Sequence, residues 1–472
     1  MFNYKFPYLN KVNLYIIFAL VMILMLALLI RIHPVIKSPE KCRHGIGIFG
    51  DTHLYHRIAY NLYKGNGFSG TDDGRAYGSR QANKNLEYEP VITRGPVYPF
   101  FIYTIYKFFG KEKDMHSIET WHRNWDKVRI AQCILDATIS LLVFFIVRLI
   151  YPATFWPALI SAMLYCFSFY NIYYTKALLS ESTTTFFLTC ALWFSLLALK
   201  FEKKYLWFLT GIGFGIVLLS RPEYALFPLF LSAYIYFLKR KLLIDALKKI
   251  VLFLIGIGII LTPWTLRNYL ICKEPIMVSR GPIGYSLYLG SFVTPKNWKG
   301  WFNFPQEIFK NRQEKEAIEY LSLLHNYYYF RGSKKMIEID NIFLELALER
   351  IKDNPSQYFW HYIKKAPRLW YQNYMHMSLY KEASGNFFVF YFVFALFAFG
   401  LSTRKEKVFM APVGLFFVYL NVIFLPLAIS PRYGVVLIPG IISLTGIGIW
   451  KIFLWLKINV KNRTKDIHFI YP

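Results

Sequence analysis

Long uninterrupted apolar runs constrain this chain more than any other feature of its sequence. The first run extends from Val12 to Ile30, and about 18 or more apolar residues are enough to cross the hydrocarbon core of a bilayer. One such run could be the core helix of a large soluble protein, but about ten of them could not all be buried in that way. The sequence therefore predicts an all-α polytopic membrane protein with about ten transmembrane helices.

The composition agrees with this fold class. Hydrophobic residues make up 55% of the 472 residues and charged residues only 18%, whereas an ordinary soluble domain has about 25% charged residues. The first run is too long for a signal-peptide core and lacks a small-residue cleavage site, so we expect it to stay as an anchor. The predicted spans are 12–30, 128–150, 153–170, 182–199, 205–220, 223–238, 250–266, 386–401, 408–426 and 434–456.

The net charge of +27 raises the question of nucleic-acid binding. Membrane topology gives a better explanation, because Lys and Arg concentrate at the ends of apolar runs, and no nucleic-acid partner is predicted. With ten spans every basic cluster falls on one side, and since cytoplasmic loops are enriched in Lys and Arg, both termini should be cytoplasmic. The clusters are Lys5/Lys11, Arg148, Lys200/Lys203/Lys204, Lys239/Arg240/Lys241 with Lys248/Lys249, Arg404/Lys405/Lys407 and Lys457/Lys461/Arg463/Lys465.

Two long loops remain on the outer face, and loops of such length inside a membrane protein are usually functional. The apolar segment 94–110 could cross the membrane, but every later loop would then change sides, so we interpret it as an interfacial or re-entrant helix. The second loop contains Trp298, Trp301 and an amphipathic stretch near 336–352. The predicted domains are a transmembrane catalytic module (1–267) that includes outer loop 31–127, a large outer loop region (268–385), and C-terminal transmembrane helices with a cytoplasmic tail (386–472).

Three acidic residues are candidates for chemistry. Asp51 precedes a stretch with helical apolar spacing, so it is either a helix N-cap, worth about 1 kcal/mol, or a catalytic base. Glu181 lies at the outer end of a span, where it is either favoured by the helix dipole or functional, as ionisable residues at membrane depth often are. Asp136, inside a span, is expected to form hydrogen bonds between helices.

Four arginines lie at the outer ends of predicted spans, where the bias of basic residues toward the cytoplasm would not place them. Planar guanidinium groups match phosphate oxygens well, and anchoring to lipid headgroups is the alternative. The four are Arg94, Arg221, Arg267 and Arg432.

No cofactor is identified from the sequence. It has no P-loop, no HExxH motif and no metal-spaced pair of cysteines, so a divalent metal has no clear set of ligands. The paired glycines Gly211/Gly213, Gly256/Gly258 and Gly446/Gly448 lie inside spans and indicate close helix packing.

Together these motifs resemble the polytopic GT-C glycosyltransferases that use lipid-linked sugars, in particular the group of protein O-mannosyltransferases and aminoarabinose transferase. The similarity covers roughly 45–290 and 430–440, and the order of the motifs makes the set specific. The matching pieces are Asp51 with Tyr55, Gly65-Asn66-Gly67-Phe68-Ser69, Thr93-Arg94-Gly95-Pro96-Val97-Tyr98-Pro99, Arg129 to Asp136, Leu179-Ser180-Glu181, Gly215 to Pro222, Pro263-Trp264-Thr265-Leu266-Arg267-Asn268-Tyr269 and Pro431-Arg432-Tyr433.

Seven residues receive predicted roles: Asp51, Arg94 and Glu181 from the resemblance, and the other four from their charge or placement in the chain. Relatives with a metal-binding Glu before the phosphate-binding residue have it where this chain has Thr93, which argues against a metal there. The predicted roles are Asp51 and Glu181 as catalytic acidic residues, with Asp51 the base; Arg94, Arg267 and Arg432 as ligands of the donor phosphate; and Tyr55 and Tyr433 as substrate-positioning residues.

The implied function is inverting transfer of a sugar from a polyprenyl-phosphate donor to a hydroxyl of a glycan, lipid or protein acceptor. The expected location is a bacterial inner (plasma) membrane, with the active site on the periplasmic or extracellular side and membrane lipid around the spans. A transporter or flippase, and a ligase or polymerase of lipid-linked oligosaccharides, are the alternatives. Transporters usually contain inverted repeats, and none is evident.

The topology is directly testable by labelling single cysteines with a reagent that does not cross the membrane. Positions near 75 and 320 should react from outside, and positions near 203 and 405 should be protected, because basic loops stay in the cytoplasm. Labelling of the region around 203 from outside would contradict the ten-span topology.

Overall fold

The computed structural model of the chain describes residues 14–39, 50–71, 88–110, 118–240, 242–281, 283–291, 334–370, 381–427 and 431–468. Trp298 and Trp301 of the second predicted outer loop lie outside these residues. The described part is mostly helical, as the apolar runs predict.

Helices dominate the element order. The helices are α1 (Leu14–Lys37), α2 (Gly50–Lys64), α3 (Val97–Phe109), α4 (Ile118–Ile150), α5 (Trp156–Cys166), α6 (Phe169–Lys176), α7 (Glu181–Phe201), α8 (Lys204–Ser220), α9 (Phe227–Leu238), α10 (Leu243–Cys272), α11 (Ile283–Ser291), α12 (Lys334–Asp353), α13 (Pro355–Lys365), α14 (Lys381–Leu401), α15 (Arg404–Phe424) and α16 (Ile438–His468). Short 3-10 turns occupy Pro222–Tyr224, Ala366–Leu369, Pro431–Tyr433 and Val435–Leu437. Strands β1 (Ser69–Thr71) and β2 (Tyr88–Pro90) pair antiparallel, with Gly70 opposite Glu89.

Five helices among the described residues are long and apolar enough to cross a membrane by length and composition. Three shorter apolar helices accompany them, at Trp156–Cys166, Lys204–Ser220 and Phe387–Leu401. The polytopic helical fold class is confirmed, while the count of ten spans stays a prediction. The five are Leu14–Lys37, His122–Ile150, Glu181–Phe201, Arg404–Phe424 and Val435–Asn459.

Two predicted segments differ in detail from the observed helices. The predicted span 153–170 divides into α5 and α6, with Ser168 at the start of the second helix. The ambiguous segment 94–110 forms α3, whose 13 residues extend about 20 Å, less than the roughly 30 Å of a hydrocarbon core. The amphipathic stretch near 336–352 is helical, within α12.

Glycines let α8 and α10 approach each other closely, as the sequence predicts. A Cβ on Gly211 would collide with the carbonyl of Phe253, and one on Gly256 would collide with the carbonyl of Phe208. Backbone contact of this kind is how small residues pack helices where burial of apolar surface supplies little driving force.

A buried ion pair joins α1 to α4. The Arg31 Nε donates to Asp136 Oδ2 over 2.6 Å, and the Tyr165 hydroxyl donates to Asp136 Oδ1 over 2.8 Å. The remaining nitrogens of Arg31 donate to the carbonyls of Ala27, Tyr165 and Cys166. Asp136 therefore forms hydrogen bonds between helices, as predicted, and anchors the first span to the bundle.

The glycine packing gives a stability prediction with an internal control. We expect Gly256→Ala to destabilise the protein by about 1–3 kcal/mol, because the added methyl would force two helix backbones apart. Gly258 lies one half-turn away with open space around its Cβ position, so Gly258→Ala should be neutral or stabilising by up to about 1 kcal/mol. Thermal unfolding in detergent measures both variants, and equal melting temperatures would contradict close packing at Gly256.

Candidate active site

Asp51 lies in the first turn of α2, which begins at Gly50. The sequence predicts Asp51 at the N-cap, the residue just before a helix. The structure places it inside the first turn. The apolar side of α2 fixes its orientation, because Leu54, Ile58 and Ala59 are buried. Both carboxylate oxygens of Asp51 accept hydrogen bonds from arginines, so its observed contacts are those of a charge-paired site residue.

The first arginine, Arg94, follows the hairpin made by β1 and β2. Gly65 and Gly67 have φ of +84° and +72°, a left-handed conformation that glycine adopts without steric cost, and they turn the chain from α2 into β1. Arg94 Nη2 donates to Asp51 Oδ1 over 2.9 Å, while its Nη1 donates to the carbonyl of Thr93. A Cβ on Gly95 would collide with the Leu219 carbonyl, so glycine allows this loop to rest on the end of α8.

The second arginine, Arg432, contacts two carboxylates. Its Nη2 donates to Asp51 Oδ2 over 3.1 Å, and its Nε lies 3.2 Å from Glu181 Oε1. Glu181 begins α7 and is buried, with a side chain only 1% exposed. Arg432 therefore brings the C-terminal part of the chain to Asp51, which lies 381 positions earlier.

A third arginine completes the cluster. Arg221 Nη1 lies 3.5 Å from Glu181 Oε1. The guanidinium groups of Arg221 and Arg432 each lie 5.5 Å from the ring centroid of Tyr433, and the ring of Phe424 stacks on Tyr433 at 4.5 Å. Tyr433 thus positions two guanidiniums through cation–π contacts.

Tyr55 lies one helical turn after Asp51 and is packed edge-on against Tyr98, with ring centroids 5.0 Å apart. Burial raises the pKa of Tyr55, and the charges of Arg94, Asp51, Arg221 and Glu181 act on it as well. Its hydroxyl is therefore protonated at neutral pH and can serve as a hydrogen-bond donor next to the charged cluster.

The structure does not bring Arg267 into the cluster of ion pairs. Its Nη1 donates to the carbonyl of Val91 over 2.7 Å and its Nη2 to the carbonyl of Phe68 over 3.0 Å. The guanidinium also lies over the rings of Phe68 and Trp264. Arg267 therefore ties α10 to the segment that leads into Arg94, and its contact with phosphate stays a prediction.

The site sets three guanidiniums against the carboxylates of Asp51 and Glu181, and a third carboxylate, Glu223, lies 3.8 Å from Arg221 Nε. Burial lowers the pKa of Arg432, but the charges of Glu181, Tyr433 and Asp51 raise it well above its ordinary value, so this residue stays cationic. Within the described ranges, no group of three His, Cys, Asp or Glu side chains could hold a metal ion. A divalent cation beside Asp51 would also face two guanidiniums, so the residues present suit an anion better than a metal.

Residues 93–265 match the family model of dolichyl-phosphate-mannose-protein mannosyltransferase. The fold matches the oligosaccharyltransferase AglB from Archaeoglobus fulgidus, solved with an inhibitory peptide and a dolichol-phosphate, with a TM-score of 0.57, 11% identity, and coverage of 97% of this chain and 52% of that one. The apo form of the Archaeoglobus fulgidus enzyme gives a TM-score of 0.56 at 13% identity, covering 96% of this chain and 52% of the other.

The predicted resemblance to the GT-C glycosyltransferases is confirmed. This chain spans about half the length of the oligosaccharyltransferase, and no curated protein matches it by sequence. The matched segment contains Arg94, Glu181 and Arg221, whereas Asp51 and Arg432 lie outside it. The fold brings these two flanking residues onto the matched segment.

The pairing of Arg432 with Glu181 can be tested by a double-mutant cycle. Arg432→Gln should destabilise the protein by about 1–3 kcal/mol, because the buried Glu181 carboxylate loses one of its two arginines and keeps Arg221. Adding Glu181→Gln should recover part of this loss, with a coupling energy of about 0.5–3 kcal/mol. Chemical unfolding of the four proteins in detergent measures the cycle, and strictly additive effects would show that the two residues do not interact.

Proposed function

We propose that this protein is an inverting glycosyltransferase that moves a sugar from a polyprenyl-phosphate donor to an acceptor hydroxyl on the outer face of the membrane. The observation that carries the proposal is the Asp51 carboxylate bridged by Arg94 and Arg432, at 2.9 and 3.1 Å. Such a transfer needs a base for the acceptor hydroxyl and cationic groups for the leaving phosphate, and this arrangement offers both.

The donor phosphate would compete with Asp51 for its two arginines. Phosphate oxygens suit the planar fork of a guanidinium, and each arginine has a second anchor that would hold it in place during the exchange. Arg94 keeps its bond to the Thr93 carbonyl, and Arg432 keeps its contact with Glu181. Donor binding would therefore free a carboxylate oxygen of Asp51 to face the acceptor.

The chemical step then balances without any further reagent. The acceptor oxygen attacks the anomeric carbon and forms the new glycosidic bond, while its proton passes to Asp51. The bond from the anomeric carbon to the phosphate oxygen breaks, and polyprenyl phosphate leaves with the electron pair. Arg94 and Arg432 would stabilise the negative charge that develops on the leaving phosphate.

Glu181, Arg221 and the two tyrosines have supporting roles in this proposal. Glu181 is fully buried between two arginines, so we assign it to positioning Arg432 and treat it as the alternative base. Tyr433 contacts the guanidinium groups of Arg221 and Arg432 through cation–π interactions with its ring. Tyr55, protonated and next to the cluster, would donate a hydrogen bond to a substrate oxygen.

The identity of the donor distinguishes the proposed monosaccharide transferase from an oligosaccharide ligase. The fold matched in AglB belongs to an oligosaccharyltransferase, so a lipid-linked oligosaccharide is the competing donor. Purified protein in lipid vesicles, supplied in turn with a labelled polyprenyl-phosphate monosaccharide and a labelled lipid-linked oligosaccharide, distinguishes the two. Transfer from the polyprenyl-phosphate monosaccharide supports our proposal. Transfer only from the lipid-linked oligosaccharide would show that the protein is a ligase.

Replacing Asp51 tests the proposed base. Asp51→Asn keeps the size of the side chain and removes its charge, and we expect turnover to fall by about two orders of magnitude or more, since general-base assistance is worth roughly 10²–10⁴ in rate. Glu181→Gln should have a milder effect. Sugar transfer by purified variants at matched concentration gives the comparison.

A matched control is available in Asp126→Asn. Asp126 also pairs with an arginine, Arg129, at 2.8 Å, and its side chain is 18% exposed against 14% for Asp51. Loss of one arginine-bound carboxylate there should leave turnover nearly unchanged. Near-normal turnover in Asp51→Asn, or an equal loss in the control, would remove Asp51 from the role of base.

A further inference from the structure

Helix α13 lies across the end of α15, one of the helices long and apolar enough to span a membrane. The Tyr362 hydroxyl donates to the carbonyl of Val422 over 3.0 Å, and the Tyr358 hydroxyl donates to the carbonyl of Pro426 over 3.1 Å. The 21 residues of α15 extend about 31 Å, close to the thickness of the hydrocarbon core. In a bilayer that α15 crosses, its C-terminal end, and α13 with it, would lie at the depth where hydrocarbon meets headgroups.

The inner stripe of α13 attaches it firmly to the protein. Tyr358, Tyr362 and Lys365 recur at helical spacing and share one face. The buried Lys365 amine donates to the carbonyl of Gly290 at the end of α11 over 2.6 Å. Since both α11 and α15 hold this face, the rotation of α13 about its own axis is fixed.

A second stripe of α13 is apolar and turned away from the protein. Phe359, Trp360 and Ile363 are 56%, 61% and 44% exposed. Val418 and Val422 of α15 are exposed apolar residues as well, at 52% and 47%, and the Tyr362 hydroxyl on the neighbouring stripe of α13 donates to the Val422 carbonyl. Exposed apolar side chains are therefore present on both helices that meet at this hydrogen bond.

The third stripe is polar. The exposed residues Gln357 and Lys364 lie on the side of α13 opposite Phe359, and His361, half-buried, lies between them and the protein face. A helix with a protein face, an apolar face rich in aromatic residues and a polar face that carries Lys is the pattern of a helix that lies in a membrane interface. Trp is enriched at this depth because its ring is apolar and its N–H is polar.

Helix α13 also borders the candidate active site. The 3-10 turn Ala366–Leu369 follows it directly, and a Cβ on Gly434 would lie 2.9 Å from the Leu369 carbonyl. The same added Cβ would lie 3.0 Å from the ring of Trp370. Gly434 is two residues after Arg432. The position of α13 thus determines where this turn meets the segment that carries Arg432.

We propose that α13 is a membrane-docking helix whose Phe359, Trp360 and Ile363 insert among the phospholipids of the outer leaflet. The occupant of this apolar stripe is lipid, at the boundary between headgroups and acyl chains, with Lys364 directed toward lipid phosphates. Docking would fix the second outer loop to the bilayer surface beside Arg432. This inference does not depend on which group the enzyme transfers.

Site-specific fluorescence in vesicles tests the proposal on the full-length chain. Trp360→Cys is labelled with an environment-sensitive fluorophore in a chain whose five native cysteines are replaced by alanine, and Gln357→Cys provides the matched control on the polar stripe. We expect phosphatidylglycerol–phosphatidylcholine vesicles that contain lipids with a nitroxide near the top of the acyl chain to quench most of the emission at 360. Aqueous iodide should quench mainly the label at 357.

Two outcomes would overturn the proposal. One is quenching of both labels by iodide and of neither by nitroxide lipid, which would place the apolar stripe in water. The other is protection of the label at 360 from both quenchers, which would indicate that a protein surface, such as a second copy of the chain, covers the stripe. Ile363→Cys serves as a second apolar-stripe position and should behave like 360.

Discussion

The contact of Arg432 with two carboxylates holds the candidate site together. One of its nitrogens binds Asp51 in the first turn of α2, and another contacts Glu181 at the start of α7. A buried carboxylate without a cation is costly, and Glu181 has two arginines beside it, Arg432 at 3.2 Å and Arg221 at 3.5 Å. The attraction of Glu181 would help to hold Arg432 in place when a phosphate takes its other nitrogen from Asp51. The proposed reaction requires one nitrogen of Arg432 to stay on Glu181 while another exchanges Asp51 for phosphate.

Elsewhere in the described bundle, charge is used for anchoring. Arg31 and Asp136 pair at 2.6 Å deep between helices, and backbone carbonyls occupy the remaining Arg31 nitrogens. The site arginines differ, because Arg94 and Arg432 are partly exposed, with side chains 11% and 26% accessible. Full satisfaction of Arg31 suits a structural role, and partial exposure of the site pairs suits groups that exchange partners with an anionic ligand. Arginine–carboxylate pairs therefore have two roles in this protein. The buried pair anchors helices, and the partly exposed pairs form the candidate site.

Much of the fold could be predicted from the sequence, because apolar runs, glycine pairs and the helical spacing of α2 and α12 are local signals. The helix break at Ser168 and the helical position of Asp51 were missed, since element boundaries depend on backbone geometry that composition does not encode. The site residues were predicted one by one from their charge, their placement and the family resemblance, but their pairing was not predicted. Asp51 meets Arg432 through tertiary packing across 381 residues. Arg267 carried the same sequence signal as Arg94, yet it binds the carbonyls of Val91 and Phe68.

The central claim is that Arg94 and Arg432 exchange Asp51 for the phosphate of a lipid donor. A cryo-electron microscopy map of the chain in a lipid nanodisc with polyprenyl phosphate bound tests it most directly. Our account predicts phosphate density between the Arg94 and Arg432 guanidiniums, at least one of the two bonds to Asp51 broken, and the Arg432–Glu181 contact retained. Phosphate bound elsewhere, with both arginines still on Asp51, would contradict it.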